Sequence, residues 1–425
     1  MGEEYKHSVI LKEDRCIGCT SCLKVCPTEA IRVREGKAKI IPERCIDCGE
    51  CIKICPNHAK SAITDDLSMI KKFKYTIAIP SLTIYGQFPS NISICEMLNA
   101  IKKIGFDEVV EDTVGADISI HLIKEYLLKK SDMNLPLINS SCPAVIRLIQ
   151  MRFPDLIPNI IDIETPLEIT ARIAKKEASR RENIKIEDIG VFFITPCTAR
   201  VTSIRKPIGI SKSYVDGAFS MKEIYGEIVR NLGDCNSSNM GTSTKESLYW
   251  PIAGGQAAAL GIENYLAVDG IHDVIRVLEE VELGKLEDVD FIECSACSGG
   301  CVGGPLVIQN SFIAKNRIMK YARKMKETKH TIEELDSFIK MYESGLIRLT
   351  EKIEPKSVMT LDKDIVKSIQ KMELVTEILK SLPGLDCGVC GSPTCRAFAE
   401  DIVKGENCKA VCIVKTMNGF KNKNK

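Results

Sequence analysis

The chain has 425 residues, of which 44% are hydrophobic, and its Lys+Arg 58 against Asp+Glu 57 leaves a formal net charge of +1. That length suits about three domains, and so balanced a charge offers no sequence-wide field to attract nucleic acid or an anionic membrane. No basic leader with an apolar stretch opens the chain and no uncharged run nears the roughly 18 residues that span a bilayer, so a cytoplasmic protein is expected.

Cysteine is the extreme feature, with 20 residues falling in tight clusters rather than spread as staples. Without a secretory signal, that pattern favours metal or redox ligation over disulfides. The five histidines, His7, His58, His121, His272 and His330, lie far apart and none has zinc-finger spacing. Thiolate-only sets suit iron–sulfur clusters or zinc.

Residues 1–70 carry one cysteine motif twice, Cys16, Cys19, Cys22, Cys26, Pro27 and then Cys45, Cys48, Cys51, Cys55, Pro56, separated by the strand-like IRVREGKAKII. Residues 71–315 alternate strand-like runs (YTIAI, DEVVEDTV, IGVFFI, NYLAVDG, VDFIEC) with amphipathic helical segments such as ISIHLIKEYLLKK and HDVIRVLEEVELG. This alternation predicts an α/β core with mostly parallel sheets. Cysteine loops follow three of its apolar runs, in PLINSSCPAV, GVFFITPCTAR and VDFIECSACSGGCVGG. Loops beyond the carboxyl ends of parallel strands share one crevice, so Cys142, Cys197, Cys297 and Cys301 are available to a single cluster; a set of buried structural thiols is the alternative. Residues 316–380 read as a charged helical connector, and 381–425 as a small cysteine module with a lysine-rich tail.

The duplicated C-x-x-C-x-x-C-x-x-x-C-P run resembles an α+β two-[4Fe-4S] ferredoxin domain. That resemblance implies one cluster on Cys16, Cys19, Cys22 and Cys55 and the other on Cys45, Cys48, Cys51 and Cys26, zinc knuckles being the alternative. Behind it, the three loops resemble in order and separation the signature loops of [FeFe]-hydrogenases. This implies an H-cluster, in which a [4Fe-4S] cubane on Cys142, Cys197, Cys297 and Cys301 is bridged through Cys301 to a diiron subcluster bearing CO, cyanide and a dithiolate. The glycines around Cys301 would let the backbone approach so bulky a ligand. Pro80 and Ser81 match a turn whose backbone amides bind one cyanide. Arg200 stands where the family has a lysine for the other, which exchanges a point ammonium for a planar fork.

The departures lie on the proton route. Ser141 replaces a relaying cysteine, and a hydroxyl lacks the near-neutral acidity of a thiol. Ile123 falls where a relay glutamate is expected and cannot carry a proton; nearby Glu125 reads as a solvated helix-face charge. Ser203 replaces a further glutamate, while Thr195 and Ser295 replace methionines beside the diiron unit. Together these resemble the divergent, sensory-type branch of the family.

At the C-terminus, Cys387-G-V-Cys390-G-S-P-T-Cys395 resembles a small [4Fe-4S] module. The helix RAFAEDIVKG returns a fourth ligand, for which family spacing favours Cys412 over Cys408; zinc would also suit. Cys95, Cys235, Cys294 and Cys408 are left as small buried or incidental residues. The function implied is slow, reversible dihydrogen oxidation and proton reduction in a sensing or redox-signalling role. The alternative is an iron–sulfur electron-transfer or cluster-assembly protein without the diiron unit. Expected partners are dihydrogen, protons and an unidentified redox or signalling protein, with neither nucleic acid nor a membrane span; a homo-oligomer is compatible with the sequence.

Overall fold

A computed structural model describes residues 7–128, 134–233, 235, 244–325, 330–358, 361–362, 364–405 and 411–416. The chain divides into two compact units, a small one of Val9–Ala62 with Lys356–Lys425 and a large one of Met1–Ser8 with Ile63–Pro355. The ferredoxin-type repeat and the C-terminal cysteine module, at opposite ends of the sequence, thus belong to one body.

In the small unit, β1 (Val9–Leu11) pairs antiparallel with β4 (Lys60–Ala62), and β2 (Ile31–Arg34) with β3 (Lys37–Ile40). IRVREGKAKII is therefore a hairpin. It reverses at Glu35 and Gly36, both at positive φ (52° and 74°), the backbone demanded by a tight two-residue turn between twisted strands. Ile31 and Ala38 bury their side chains against Cys22 and Leu23. The C-terminal segment contributes the helices Ile365–Lys380 and Cys395–Val403, packed through Leu361, Val375 and Ala399. It lies along β2, where the Val33 N–H donates to the Gly391 carbonyl at 2.8 Å. A Cβ at Gly391 would sit 2.0 Å from the Val33 carbonyl oxygen, and φ there is +79°, so only glycine fits.

The large unit holds β5 (Tyr75–Pro80), β6 (Glu108–Val109), β7 (Leu137–Ile138), β8 (Ile189–Thr195), β9 (Gly217–Ser220), β10 (Tyr265–Asp269) and β11 (Phe291–Ser295). They form two wholly parallel sheets, ordered β6-β5-β8-β9 and β10-β11-β7. Strands β5 and β8 are central and covered on both faces, which is why YTIAIP and IGVFFIT are near-unbroken apolar runs rather than alternating ones. Side chains still alternate by face. Phe192 and Ile194 enter a core with Tyr85, Phe88 and Phe219, while Val191 and Phe193 enter another with Ile77, Ile79 and Leu167. The helix Thr113–Leu128 covers the second sheet through Ile118, Leu122 and Ile123, against Leu137 and Phe291.

Two readings of the sequence need correction here. DEVVEDTV is a strand only at Glu108–Val109, because the helix already begins at Thr113. Cys95 and Cys235 are not incidental: they form a disulfide with Cα atoms 6.0 Å apart. Cys408 lies outside the described residues.

Candidate metal centres

In the small unit, Cys16, Cys19, Cys22 and Cys55 line one hollow together with Leu11, Val33 and Ala38. Cys45, Cys48, Cys51 and Cys26 are close enough to perturb one another, and both repeats are built alike. Each enters its short helix through a left-handed residue, Thr20 at φ 65° and Gly49 at φ 78°. Each also turns a backbone N–H onto its last cysteine: Ala30 donates to Cys26 Sγ and Ala59 to Cys55 Sγ, both at 3.2 Å. A separate hollow is lined by Cys387, Cys390, Cys395 and Cys412, with Leu382, Phe398 and Ile413.

Burial pushes the Cys51 thiol up to about 12, opposed by Lys60 and reinforced by Cys26 and Cys22. Burial likewise drives Cys45 and Cys48 upward, and neighbouring thiols add to it. Four thiolates so crowded do not coexist alone; a polycationic iron core supplies the missing charge, so the donor sets fit iron–sulfur clusters.

In the large unit the cysteines come from loops at the carboxyl ends of strands in both sheets. Cys142 precedes the helix Pro143–Arg152 and Cys197 precedes Thr198–Arg205, each as the cap residue, and burial raises the Cys197 thiol. Cys297 and Cys301 follow β11. The Cys301 thiol is raised by burial first, then by Cys142, Cys197 and Cys297, and is lowered by Arg200, which brings all five groups to one place. Cys301 itself keeps accessible surface. Its glycines act differently from expectation. A Cβ on Gly300 (φ +87°) would fall 2.6 Å from the Ala253 nitrogen, and one on Gly303 2.0 Å from the Ser298 carbonyl oxygen. The close approach they permit is of backbone to backbone.

Arg200 ties two of the loops together, donating from Nη2 to the Ser141 carbonyl at 2.6 Å and from Nη1 to Thr165 Oγ1 at 3.2 Å. Pro80 and Ser81 are buried at the end of β5, but the Ser81 N–H donates to the Ile194 carbonyl at 3.1 Å and so is already engaged within the protein. Ile123 is core, 4% exposed, and Glu125 is exposed on the same helix. Thr195 Oγ1 accepts from the Cys197 N–H at 3.0 Å, which fixes the second loop. Cys294 is buried beside Cys142, its thiol raised by burial and its N–H donating to Asn139 Oδ1 at 2.8 Å.

Sequence reasoning missed a set of buried acids near these loops. Burial raises Asp112 to about 7 against the opposing charge of Arg200. Glu168 is raised by burial and accepts from Ser213 Oγ at 2.6 Å and the Tyr214 N–H at 2.9 Å. Glu293, also raised by burial to about 7, accepts from the Gly254 and Ala257 N–H groups at 2.9 Å. A carboxylate inside the apolar run DFIEC was the available signal for Glu293. Asp112 and Glu168 sit at helix starts, where acids are ordinary.

Cysteine sets of this kind on parallel α/β sheets with a ferredoxin-like repeat define an iron–sulfur protein. The model of the family "Iron only hydrogenase large subunit, C-terminal domain" matches residues 74–305, the "4Fe-4S dicluster domain" model 8–56, and an FeS cluster model 382–414. The chain belongs to the iron-only hydrogenase large-subunit family. The Periplasmic [Fe] hydrogenase large subunit of Nitratidesulfovibrio vulgaris is 27% identical, covering 70% of this chain and 86% of that one. The NADP-reducing hydrogenase subunit HndD of Solidesulfovibrio fructosivorans is 21% identical over 69% of this chain and 56% of its own. A structure of an [FeFe]-hydrogenase HydA1 variant from Chlamydomonas reinhardtii superposes with a TM-score of 0.52 at 16% identity, over 70% of this chain and 97% of that one, and shares the fold. Among the described residues no helix is long and apolar enough to cross a membrane.

Proposed function

We propose that the chain is a slow [FeFe]-hydrogenase that oxidises dihydrogen and reduces protons reversibly in a sensing or redox-signalling role. The observation that carries this reading is the convergence of Cys142, Cys197, Cys297 and Cys301, from three loops, beside Arg200. The thiols would hold the cubane of an H-cluster, with Cys301 as the bridge to the diiron unit. When bound, that cofactor supplies heterolytic cleavage of dihydrogen. Arg200 places a permanent cation next to the thiolates and keeps it there through Ser141 and Thr165. Ser141 offers a hydroxyl where a thiol would exchange protons near neutrality, and Ile123 seals the next position with hydrocarbon. Proton delivery is therefore the slow step, which suits a site that reports dihydrogen better than one that consumes it.

The two N-terminal cysteine sets would each hold a [4Fe-4S] cluster and the Cys387, Cys390, Cys395, Cys412 set a further one, passing electrons to a protein partner. Assembly of so many thiolate clusters is favoured where thiols stay reduced, and on that ground we propose a cytoplasmic protein, in which the Cys95–Cys235 disulfide is an exception to the usual pattern. The engaged Ser81 amide favours a second reading, a relative that keeps only cubane clusters. Infrared spectroscopy of the chain matured with the diiron cofactor decides between them. Bands of iron-bound CO and cyanide that move under dihydrogen support the hydrogenase reading; iron and sulfide bound without such bands support the other.

A further inference from the structure

The hydrogenase reading gives the C-terminal module a cluster but not the set it exchanges electrons with, and the structure fixes what it touches. We infer that it is the electron-exchange partner of the Cys16, Cys19, Cys22, Cys55 set, and that the backbone contact between Gly391 and Val33 is the exchange contact; this rests on the reading that both hollows hold clusters. Gly391 directly follows Cys390, and its carbonyl accepts the Val33 N–H at 2.8 Å. Val33 in turn lines the hollow of the first set. A second approach runs beside it. Gly388 directly follows Cys387, and the position of its Cβ would lie 3.2 Å from the Leu23 side chain, which follows Cys22 and is 1% exposed. Cys390 is thus one residue from a backbone contact with a wall of the first set, while Cys387 is one residue from an approach to Leu23, which packs with Cys16 and Cys22 and also with Cys26 and Cys51. Toward the second set the contacts are between side chains, Arg44 with Glu400 at 3.3 Å and Thr394 with Glu29 at 3.1 Å.

A buried ionic clamp keeps this geometry. Asp401 Oδ2 accepts from Arg32 Nε at 2.6 Å, Arg34 Nη2 at 2.7 Å and Ser392 Oγ at 2.8 Å, and the Arg32 and Asp401 side chains are 6% and 3% exposed. Ions held this far from water stabilise little on balance but penalise any other arrangement, which is the property an exchange contact needs. The step moves one electron from the reduced centre of one set to the oxidised centre of the other, with no bond or proton changing place.

The test uses full chain reconstituted with iron and sulfide but without the diiron cofactor, reduced with dithionite, and read by electron paramagnetic resonance with iron analysis. In a background lacking the second set (Cys45→Ala with Cys48→Ala), the spectrum should be broadened by spin interaction that disappears on adding Cys387→Ala with Cys390→Ala. In a background lacking the first set (Cys19→Ala with Cys22→Ala), the same addition should only subtract a signal. Asp401→Ala should keep its iron and lose the broadening. Broadening dependent on Cys387 and Cys390 only in the background lacking the first set, or in neither background at full iron content, overturns the inference. Unchanged iron on loss of Cys387 and Cys390 overturns instead the reading that the module holds a cluster.

Discussion

In the small unit each set of thiols is largely written in consecutive turns of chain, whereas the large unit gathers Cys142, Cys197, Cys297 and Cys301 from loops that meet only because two parallel sheets end near one place. The first kind of site depends on local backbone, left-handed residues and N–H groups aimed at sulfur. The second depends on the packing of a whole domain and on Arg200 spanning two loops. Damage should accordingly stay local in one and spread in the other.

The largest expected effect tests that contrast. Cys197→Ala should abolish dihydrogen turnover and remove the iron of the large unit, while Cys48→Ala should remove iron from the small unit and leave turnover with an artificial electron acceptor measurable. Iron analysis beside a dihydrogen-oxidation assay checks both. If Cys48→Ala also ends turnover, the two sites are not independent. Next in size, Asp401→Ala leaves two arginines without their shared carboxylate and should destabilise the small unit by about 3–5 kcal/mol. Hydrogen exchange should then rise along β2 and the helix Cys395–Val403, and not in β5 or β8.

The same contrast explains what could be read from sequence. The cysteine groups of the small unit were legible in spacing, their division into ligand sets through the ferredoxin resemblance, and the parallel core in the alternation of apolar strands with amphipathic helices. Cys142, Cys197, Cys297 and Cys301 were legible as loops following parallel strands that share a crevice, and family resemblance added what they would hold. Three features were not legible. The pairing of the C-terminal module with β2 rests on Arg32, Arg34 and Asp401, which look like ordinary surface charges until the chain ends are brought together. The Gly300 and Gly303 contacts are with backbone that sequence places nowhere in particular. Asp112 and Glu168 resemble helix-start acids, and nothing in sequence shows that burial pushes both upward.

A third prediction concerns rate. Ser141→Cys restores a titratable thiol beside Arg200 and should raise dihydrogen oxidation by up to about a hundredfold, the lower range for a placed acid–base group. Ile123→Glu on top of it should add to the gain; no gain from either places the slow step elsewhere. The last prediction is a pH dependence of stability in the large unit. Asp112 and Glu293 are held at about 7, above their ordinary 3.8 and 4.5, so the folded state binds protons that the unfolded state has released. Their contribution to stability is full below about pH 4 and is lost as pH rises through 7, with a slope of up to about 1.4 kcal/mol per pH unit for each group. Denaturant melts of Asp112→Asn across that window should show a flatter slope.

The central claim, that four thiols from three loops hold a centre that cleaves dihydrogen slowly, is tested most directly by isotope exchange. Matured full chain under mixed dihydrogen and deuterium should form HD slowly, at a rate that Ser141→Cys raises, and Cys301→Ala should form none. Absence of HD from protein whose infrared spectrum carries the bands of iron-bound CO and cyanide would contradict it.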